Sequence, residues 1–251
     1  LQGGASQQFG MIPMNLLAGK EVADYVHTGE WAKKAITEAK RFCNVHIAAS
    51  SEDEQFTYAP PQSHWKVSPD SAYVHYTSNE TIGGVEFHWV PDVGKVPLVV
   101  DMSSHFLSRP VDVSRFGMIY AGAQKNVGPA GLVIVIIRED LLGHAMPITP
   151  SMLDYKVHAD AQSMSNTPPS FAIYVAGLVF QWIKSKGGLA GIERLNIAKA
   201  KRLYDFIDGS AFYKNPVRPS DRSRMNVPFT LADAKLDSAF LKGADAKGLL
   251  Q

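Results

Sequence analysis

The sequence predicts an α/β fold in which helices cover a β-sheet. Short apolar runs alternate along the chain with segments of helical periodicity, a pattern typical of layered helices and sheet rather than of a β-sandwich or a helix bundle. The apolar run at 98–100 is continuous and does not alternate with polar residues, which indicates a strand buried on both faces.

Most of the predicted strands lie in the first 137 residues of the chain. A turn at Gly3 and Gly4 opens a helix near Gln7, and a turn at Thr28 and Gly29 opens a second helix. The apolar face of this second helix is expected to carry Trp31, Ala35, Ala39 and Phe42. Strands are expected at residues 23–26, 44–50, 71–81, 98–101, 118–121 and 132–137.

Two long helices follow, in the stretches 171–188 and 189–210. A more polar segment begins near residue 211 and leads to a strand predicted at 225–231. We therefore place a boundary near Gly209, between a large domain at 1–209 and the beginning of a smaller domain at 210–251. In the first long helix, the positions predicted to face the core are Ile173, Leu178, Val179, Trp182 and Ile183.

Composition argues against several classes of function. With 25 Lys and Arg against 24 Asp and Glu, the formal net charge of +1 gives no electrostatic case for a nucleic acid or an anionic membrane as partner. No apolar run approaches the roughly 20 residues of a membrane-spanning helix. The single Cys43 excludes an internal disulfide, so we expect a cytoplasmic protein. The eight histidines lack metal-ligand spacing, and we expect no metal site.

Both ends of the chain indicate a middle portion of a longer protein. The opening LQGGASQQF has no initiator methionine and no signal-peptide pattern, and it starts on a glycine turn that normally follows a strand. The closing LDSAFLKGADAKGLLQ stops at a predicted helix and its exit.

A carboxylate and an amine stand at two predicted strand ends. Asp101 ends a buried strand, and Lys125 follows 24 residues later among small residues in IYAGAQKNVGPAG. Because the carboxyl ends of parallel strands share one edge of a sheet, we expect both groups to meet in one crevice. Desolvation there would lower the pKa of the amine. The pair suits pyridoxal 5′-phosphate, which needs a lysine as covalent anchor and proton shuttle and an anion beside its ring nitrogen.

Other residues fit the same ligand. The turn Gly3-Gly4-Ala5-Ser6 opens a helix, and helix N-termini bind phosphate through free backbone N–H groups. Trp31 could stack on the cofactor ring, and Asn79 and Thr81, just beyond a strand, could bind its hydroxyl group.

Each of these residues also has a plainer interpretation. A loop lysine is usually solvated, Asp101 could form a turn, Trp31 could belong to the core, and a Gly-Gly pair is usually an ordinary tight turn. The pairing of Lys125 with Asp101, together with the sequence around the lysine, favours the cofactor site. Cys43 is expected to be a small residue at the end of a helix.

Seven strings carry a resemblance to a known family. In chain order they are LQGGASQQF, ADYVHTGEWAKKA, SNETIGGVEF, VVDMSSHFLSRPVDVSRFG, IYAGAQKNVGPAGLVIVIIREDLLG, SNTPPSFAIYVAGLVFQWIK and RSRMNVPF. They extend along the whole chain and resemble the phosphoserine aminotransferase family, which belongs to the class V pyridoxal-phosphate aminotransferases of fold type I. The resemblance implies a mostly parallel sheet flanked by helices in the large domain, followed by a smaller α/β domain.

The resemblance also implies roles for individual residues. Lys125 would form the Schiff base with pyridoxal phosphate, Asp101 would pair with the ring nitrogen, Trp31 would stack on the ring and Thr81 would contact the ring hydroxyl. The residues that would hold the phosphate are Ala5, Ser6 and Gln124, together with Asn166 and Thr167 of the neighbouring subunit of a homodimer. Without the resemblance, Asn166 and Thr167 would be a turn and a helix entry.

The implied reaction is a ping-pong transamination. Glutamate gives up its amino group and leaves as 2-oxoglutarate, and 3-phosphohydroxypyruvate receives the group and leaves as O-phospho-L-serine. Lys125 would be covalent anchor and general acid/base.

The chain departs from the family pattern at the substrate-binding motifs. Family members carry a His-Arg pair near the N-terminus and a Gly-His-Arg motif with a further arginine, which bind carboxylate and phosphate. Neither segment is in this sequence. Arg222 and Arg224 are expected to support the small domain instead. We therefore expect cofactor contacts to be largely present in this chain and substrate contacts to be largely missing.

Two alternatives stay open at this point. The chain could be another fold-type-I pyridoxal-phosphate enzyme, such as a desulfurase or a lyase, although a desulfurase needs a mobile catalytic cysteine and Cys43 lies in an unsuitable context. It could also be a non-catalytic module that keeps the fold for binding or dimerisation, which would bind no covalent cofactor.

Overall fold

A computed structural model describes residues 1–249, whose main feature is a mostly parallel β-sheet flanked by helices. The strands are β1 Val22–His27, β2 Asn44–Ser50, β3 Val74–Thr77, β4 Leu98–Asp101, β5 Met118–Gly122, β6 Val133–Ile137, β7 Tyr213–Lys214 and β8 Thr230–Leu231. The helices are α1 Ala5–Leu16, α2 Glu30–Ala39, α3 Tyr155–Asp160, α4 Ser170–Ser185, α5 Gly188–Asp208 and α6 Asp237–Asp245.

The main sheet has the strand order β2-β1-β3-β4-β5-β6. Neighbouring strands from β2 to β5 are parallel, and β6 runs antiparallel to β5. In this register Thr77 pairs with Asp101, and Asp101 pairs with Tyr120. The carboxyl ends of β3, β4 and β5 therefore lie at one edge of the sheet. The predicted α/β class and the positions of β4 and β5 are confirmed, whereas β3 covers only 74–77 of the strand predicted at 71–81.

Alternate residues of the central strands supply two cores, one on each face of the sheet. In β4, Val99 packs in the core that includes α1 and α2, while Leu98 and Val100 belong to the core on the opposite face. Because both faces are covered, the β4 sequence is apolar at consecutive positions, as the run at 98–100 predicted. Among the described residues, no helix combines the length and the apolar composition needed to cross a membrane.

The predicted apolar face of α2 is only partly correct. Its buried positions are Ala32, Ala35, Ile36 and Ala39, whereas Trp31 is partly exposed, and Phe42 lies beyond the helix. Trp31 stands in the first turn, where the helix reaches the carboxyl edge of the sheet. Its ring packs against the edge of the core and also borders the crevice, where Lys125 Nζ lies over it.

The core stripe predicted for α4 is wrong at most of its positions. Trp182, Leu178 and Ile173 are 53%, 52% and 46% exposed, and Ile183 is buried. The helix packs through its small residues: a Cβ added at Gly128 would lie 3.2 Å from the Cβ of Ala176. Helical spacing identifies apolar positions, but it does not show which of them meet the rest of the same chain.

The strand predicted at 225–231 is also wrong except for its last two residues, which form β8. The Ser223 hydroxyl oxygen accepts hydrogen bonds from the backbone N–H groups of Met225 and Asn226, at 3.0 Å each. Pro228 has no N–H group to donate to a neighbouring strand. Local side-chain bonding therefore competes successfully with strand pairing.

The segment around Arg222 packs against residues 84 and 85, which follow β3. Val85 and Arg222 form an isolated antiparallel bridge, and the Ser223 N–H donates to the Gly84 carbonyl at 2.8 Å. The division into domains at 1–209 and 210–251 stays a prediction, and residues 250–251 of the second segment lie outside the described residues.

The two segments can pack this closely only because residue 84 is a glycine, which has no side chain. Gly84 has a φ of +71°, and a Cβ there would overlap the Pro228 ring and lie 3.0 Å from the Asn226 carbonyl oxygen. Gly94 has a similar φ of +64°, but within the described chain an added Cβ would meet no atom within 4 Å.

We therefore expect Gly84→Ala to destabilise the protein more than Gly94→Ala. Each should lose about 1 to 2 kcal/mol through the left-handed backbone, and Gly84→Ala should lose about 1 to 3 kcal/mol more through overlap. Denaturant unfolding of both variants measures the difference. Equal losses would show that the contact with Pro228 does not hold the segment in place.

Candidate active site

The predicted catalytic pair lies at the carboxyl edge of the main sheet. Asp101 is the last residue of β4, and Lys125 follows the end of β5. Thr81 lies just beyond β3, and Trp31 lies in the first turn of α2, which follows β1. Four segments that are separate in sequence therefore supply one crevice, as expected for an open α/β sheet.

The Lys125 amine is held between a hydroxyl group and an aromatic ring. Its Nζ donates a 2.6 Å hydrogen bond to Thr81 Oγ1 and lies 4.1 Å from the centroid of the Trp31 ring. Burial lowers the pKa of Lys125 below its usual value, while the negative charges of Asp101 and Glu80 act in the opposite direction. A lowered pKa increases the fraction of neutral, nucleophilic amine.

Asp101 is buried, with 5% of its surface exposed, and is fixed by its neighbour. Its Oδ1 accepts from the Ser103 N–H at 2.8 Å and from the Ser103 hydroxyl at 2.6 Å, whereas Oδ2 accepts from neither. The Ser103 Oγ in turn accepts from the Gly122 N–H at the end of β5. Burial raises the pKa of Asp101, and the hydrogen bonds from Ser103 and the charge of Lys125 oppose the rise.

The N-terminus of α1 forms an anion-binding corner beside this pair. The first turn of α1 has no acidic residue, and in the described chain no side chain caps it. Its first N–H groups, at Ala5 and Ser6, have no partner within the helix. A Cβ added at Gly122 would lie 2.8 Å from the Gln124 side chain and 3.3 Å from the Ala5 Cβ, so glycine allows these residues to meet.

The crevice fits pyridoxal phosphate. It supplies an amine at Lys125, a carboxylate at Asp101, the face of Trp31 and the anion-binding corner of α1. Two residues of the segments around it carry buried polar atoms without a hydrogen-bond partner, Trp31 Nε1 and Thr77 Oγ1, and ten further atoms of this kind occur within residues 1–249. Buried polar groups normally have partners, so both atoms retain an unused capacity for a hydrogen bond.

Asn166 and Thr167 lie at the surface and outside this cluster. The Asn166 Nδ2 donates to Gln2 Oε1 at 2.7 Å, and Thr167 is exposed. The Asn79 side chain, which was considered as a ligand of the cofactor hydroxyl, bonds to other residues. Its Nδ2 donates to Ser104 Oγ at 2.7 Å and to Asn226 Oδ1 at 2.8 Å.

Arg222 and Arg224 both form ion pairs. Arg222 donates two hydrogen bonds of 2.6 and 2.9 Å to Asp208, and Arg224 Nη1 donates one of 2.9 Å to Glu193 Oε1. Both partners lie on α5, so these side chains tie the segment after β7 to that helix.

Glu80 was missed in the sequence. It is fully buried between Asn79 and Thr81, and its carboxylate accepts hydrogen bonds from two N–H groups of α2, those of Trp31 and Ala32. Burial raises its pKa to about 7. The available signal was an acidic residue directly after a buried strand, between two residues that were considered as cofactor ligands.

Comparison with known proteins gives consistent results. The model of the family described as "Aminotransferase class-V" matches residues 1–247. A phosphoserine aminotransferase from Acidithiobacillus ferrooxidans is 64% identical, over 100% of this chain and 70% of that protein. A solved phosphoserine aminotransferase from Bacillus circulans subsp. alkalophilus is 47% identical with a TM-score of 0.95, over 99% of this chain and 69% of that one. The pyridoxal-phosphate-bound enzyme from Trichomonas vaginalis is 42% identical with a TM-score of 0.92, over 100% of this chain and 72% of that one.

The electrostatic coupling in the crevice leads to a testable prediction. Asp101→Asn should lower the pKa of Lys125 further, because the charge of Asp101 raises that pKa while an amide keeps the shape of the side chain. The pH dependence of acetylation at Lys125, followed by peptide mass spectrometry in the cofactor-free protein, measures it. Asp140→Asn is the control, since Asp140 is exposed and pairs with Arg138. An unchanged or raised pKa in Asp101→Asn would contradict the coupling.

Proposed function

Because the chain belongs to the class V aminotransferase family, we propose that it catalyses the phosphoserine aminotransferase reaction with pyridoxal phosphate as cofactor. Glutamate is the amino donor and 3-phosphohydroxypyruvate the acceptor, and the products are 2-oxoglutarate and O-phospho-L-serine, a step of serine biosynthesis. The resemblance inferred from the seven strings and the assignment to the pyridoxal-phosphate aminotransferases are confirmed.

The observation that carries the chemistry is the position of the Lys125 amine, against Thr81 and over Trp31, in the same crevice as the buried Asp101. When bound, pyridoxal phosphate supplies a carbonyl carbon that accepts the amino group and an electron-poor ring that stabilises negative charge on the substrate. The residues of the chain then have to bind, orient and move protons.

In this proposal Lys125 has two tasks. Its Nζ is the point of covalent attachment, and once released it takes the proton from the α-carbon of glutamate as a general base. Partial burial supports both tasks because it lowers the pKa of the amine. The Thr81 hydroxyl holds the amine over the Trp31 ring before the cofactor is attached.

The remaining site residues orient the cofactor. Asp101 would hold a proton at the ring nitrogen, and its buried carboxylate is already fixed by Ser103 for this purpose. Trp31 would cover one face of the ring. The phosphate would be bound at the N-terminus of α1 by Ala5 and Ser6, with Gln124 beside them.

We also propose that the enzyme is a homodimer in which Asn166 and Thr167 reach the phosphate site of the neighbouring subunit. The support is their position at the surface shortly before α4, with Asn166 half-buried and Thr167 exposed, and the apolar surface of that helix, where Phe171 and Tyr174 are 76% and 64% exposed. Exposed apolar surface of this kind is typical of protein interfaces. We place the enzyme in the cytoplasm, in keeping with a single, unpaired Cys43.

Lys125→Ala should reduce transamination by the full-length protein by at least about a thousandfold, because the anchor and the proton carrier are one group. Lys95→Ala is the control, since Lys95 is exposed. Borohydride reduction with pyridoxal phosphate should give a pyridoxyl adduct confined to the Lys125 peptide. Substantial turnover by Lys125→Ala, or an adduct on another lysine, would remove the assignment of Lys125. An adduct at Lys125 without phosphoserine formation would favour a related pyridoxal-phosphate enzyme.

Subunit complementation tests the shared site. Lys125→Ala and the double variant Asn166→Ala, Thr167→Ala should each be impaired alone. After subunit exchange in an equal mixture, hybrid dimers hold one intact site each, so activity should return to about a quarter of the wild-type value. No recovery in a mixture shown to contain hybrids would contradict sites shared between subunits.

A further inference from the structure

The carboxylate of Glu80 performs a task that N-cap side chains usually perform. The first N–H groups of a helix have no partner within it, and Ser, Thr, Asp or Asn at the N-cap often accept from them. The N-cap of α2 is Gly29, which has no side chain to offer. Glu80 replaces it from the end of β3: Oε1 accepts from the Ala32 N–H at 2.9 Å, and Oε2 accepts from the Trp31 N–H at 3.1 Å.

Gly29 makes this close approach possible. A Cβ at Gly29 would lie 2.8 Å from Glu80 Cδ and 3.0 Å from Oε2. The carboxylate therefore occupies the space that any other residue at position 29 would fill. An anion at this place is also favourable because it faces the positive end of the helix dipole.

The same segment holds the reactive amine. Thr81, the next residue, accepts the hydrogen bond from Lys125 Nζ, and that Nζ lies over the Trp31 ring. Glu80 thus fixes the backbone that carries the ring, while Thr81 fixes the amine above it. We propose that Glu80 is a positioning residue whose carboxylate clamps the N-terminus of α2 and so sets the placement of Trp31 against Lys125 in the cofactor site. The inference rests on the proposed function only in identifying the crevice as that site.

The charge state of Glu80 gives the clamp a pH dependence. Burial raises its pKa from 4.5 to about 7, and the N–H groups of Ala32 and Trp31 oppose the rise. Two charged groups of other segments also face it: Asp101 of β4 raises the pKa, and Lys125 after β5 lowers it. On α2 itself, Glu30 precedes the clamped amides, and Lys34 Nζ lies 4.4 Å from the Trp31 ring.

A rise in pH should change the strength of the clamp and the global stability of the protein in opposite directions. The ionised carboxylate accepts from both N–H groups, so the clamp should tighten as the pH rises through about 7. Because the folded-state pKa is raised, the contribution of Glu80 to global stability is fully present below the unfolded-state pKa and is lost as the pH rises through about 7. A residue that served only the overall fold would not show local tightening together with global loss.

The test is amide hydrogen exchange at Trp31 and Ala32 in the full-length holoenzyme, with dissociation of pyridoxal phosphate as a second readout. In Glu80→Gln one acceptor oxygen becomes an NH₂ group, so one of the two amides should exchange about tenfold faster and the cofactor Kd should rise about tenfold. Glu86→Gln is the matched control: Glu86 is equally buried, and its carboxylate accepts from the Arg224 N–H and pairs with Arg109 instead of with the amides of α2.

The wild-type protein provides a test that needs no variant. Corrected for intrinsic rates, protection of the Trp31 and Ala32 amides should increase between pH 6 and pH 8 if Glu80 titrates near 7. Equal exchange and equal cofactor Kd in Glu80→Gln and Glu86→Gln, or protection that falls as the pH rises, would overturn the proposal. Failure of the proposed function would instead appear as a wild-type protein without an adduct on Lys125, whatever the exchange at α2.

Discussion

The structure of the site depends on the parallel register of β3, β4 and β5. Because Thr77 pairs with Asp101 and Asp101 pairs with Tyr120, β3 and β4 end at one level and β5 ends two residues beyond it. The residues that follow each strand therefore emerge into the same crevice. Lys125 and Asp101 are brought together by this register and not by a local turn. A shift of β4 by one residue would turn Asp101 to the other face of the sheet.

Burial acts on the ionisable groups of the crevice in a coupled way. It lowers the pKa of Lys125 and raises those of Asp101 and Glu80. The charge of the lysine opposes the rise at both carboxylates, the charges of the carboxylates oppose the fall at the lysine, and the charge of Asp101 adds to the rise at Glu80. The protonation state of each group therefore depends on the other two. An amine that must be neutral to react can be kept close to two carboxylates only because desolvation outweighs their attraction, and the pKa of Lys125 is accordingly lowered.

The sequence predicted those parts of the site whose signals are local. Each of these signals lies within a few residues of the position it identifies. They are the apolar run before Asp101, the small residues around Lys125 and the glycine turn before α1. Glu80 was missed because its partners are backbone amides of a helix 48 and 49 positions away, which no side-chain pattern reveals. The exposed Trp182 was wrongly assigned to the core because helical periodicity does not show what covers a helix face. The strand at 225–231 was wrong because the Ser223 hydroxyl and Pro228 oppose pairing.

Two helices begin at this edge of the sheet, and the difference between their N-termini explains how the crevice is divided. Both α1 and α2 follow a glycine N-cap without a side-chain cap of its own. At α2, the N–H groups of the first turn are occupied by the buried carboxylate of Glu80, and the helix serves to hold Trp31. At α1, the first turn has no acidic residue and, within the described chain, no capping side chain, so its positive end stays available to an external anion. The free N–H groups of a helix N-terminus are therefore used at α2 to position Trp31 and at α1 to bind a ligand. The difference arises because the buried carboxylate of Glu80 occupies the N–H groups of α2 only.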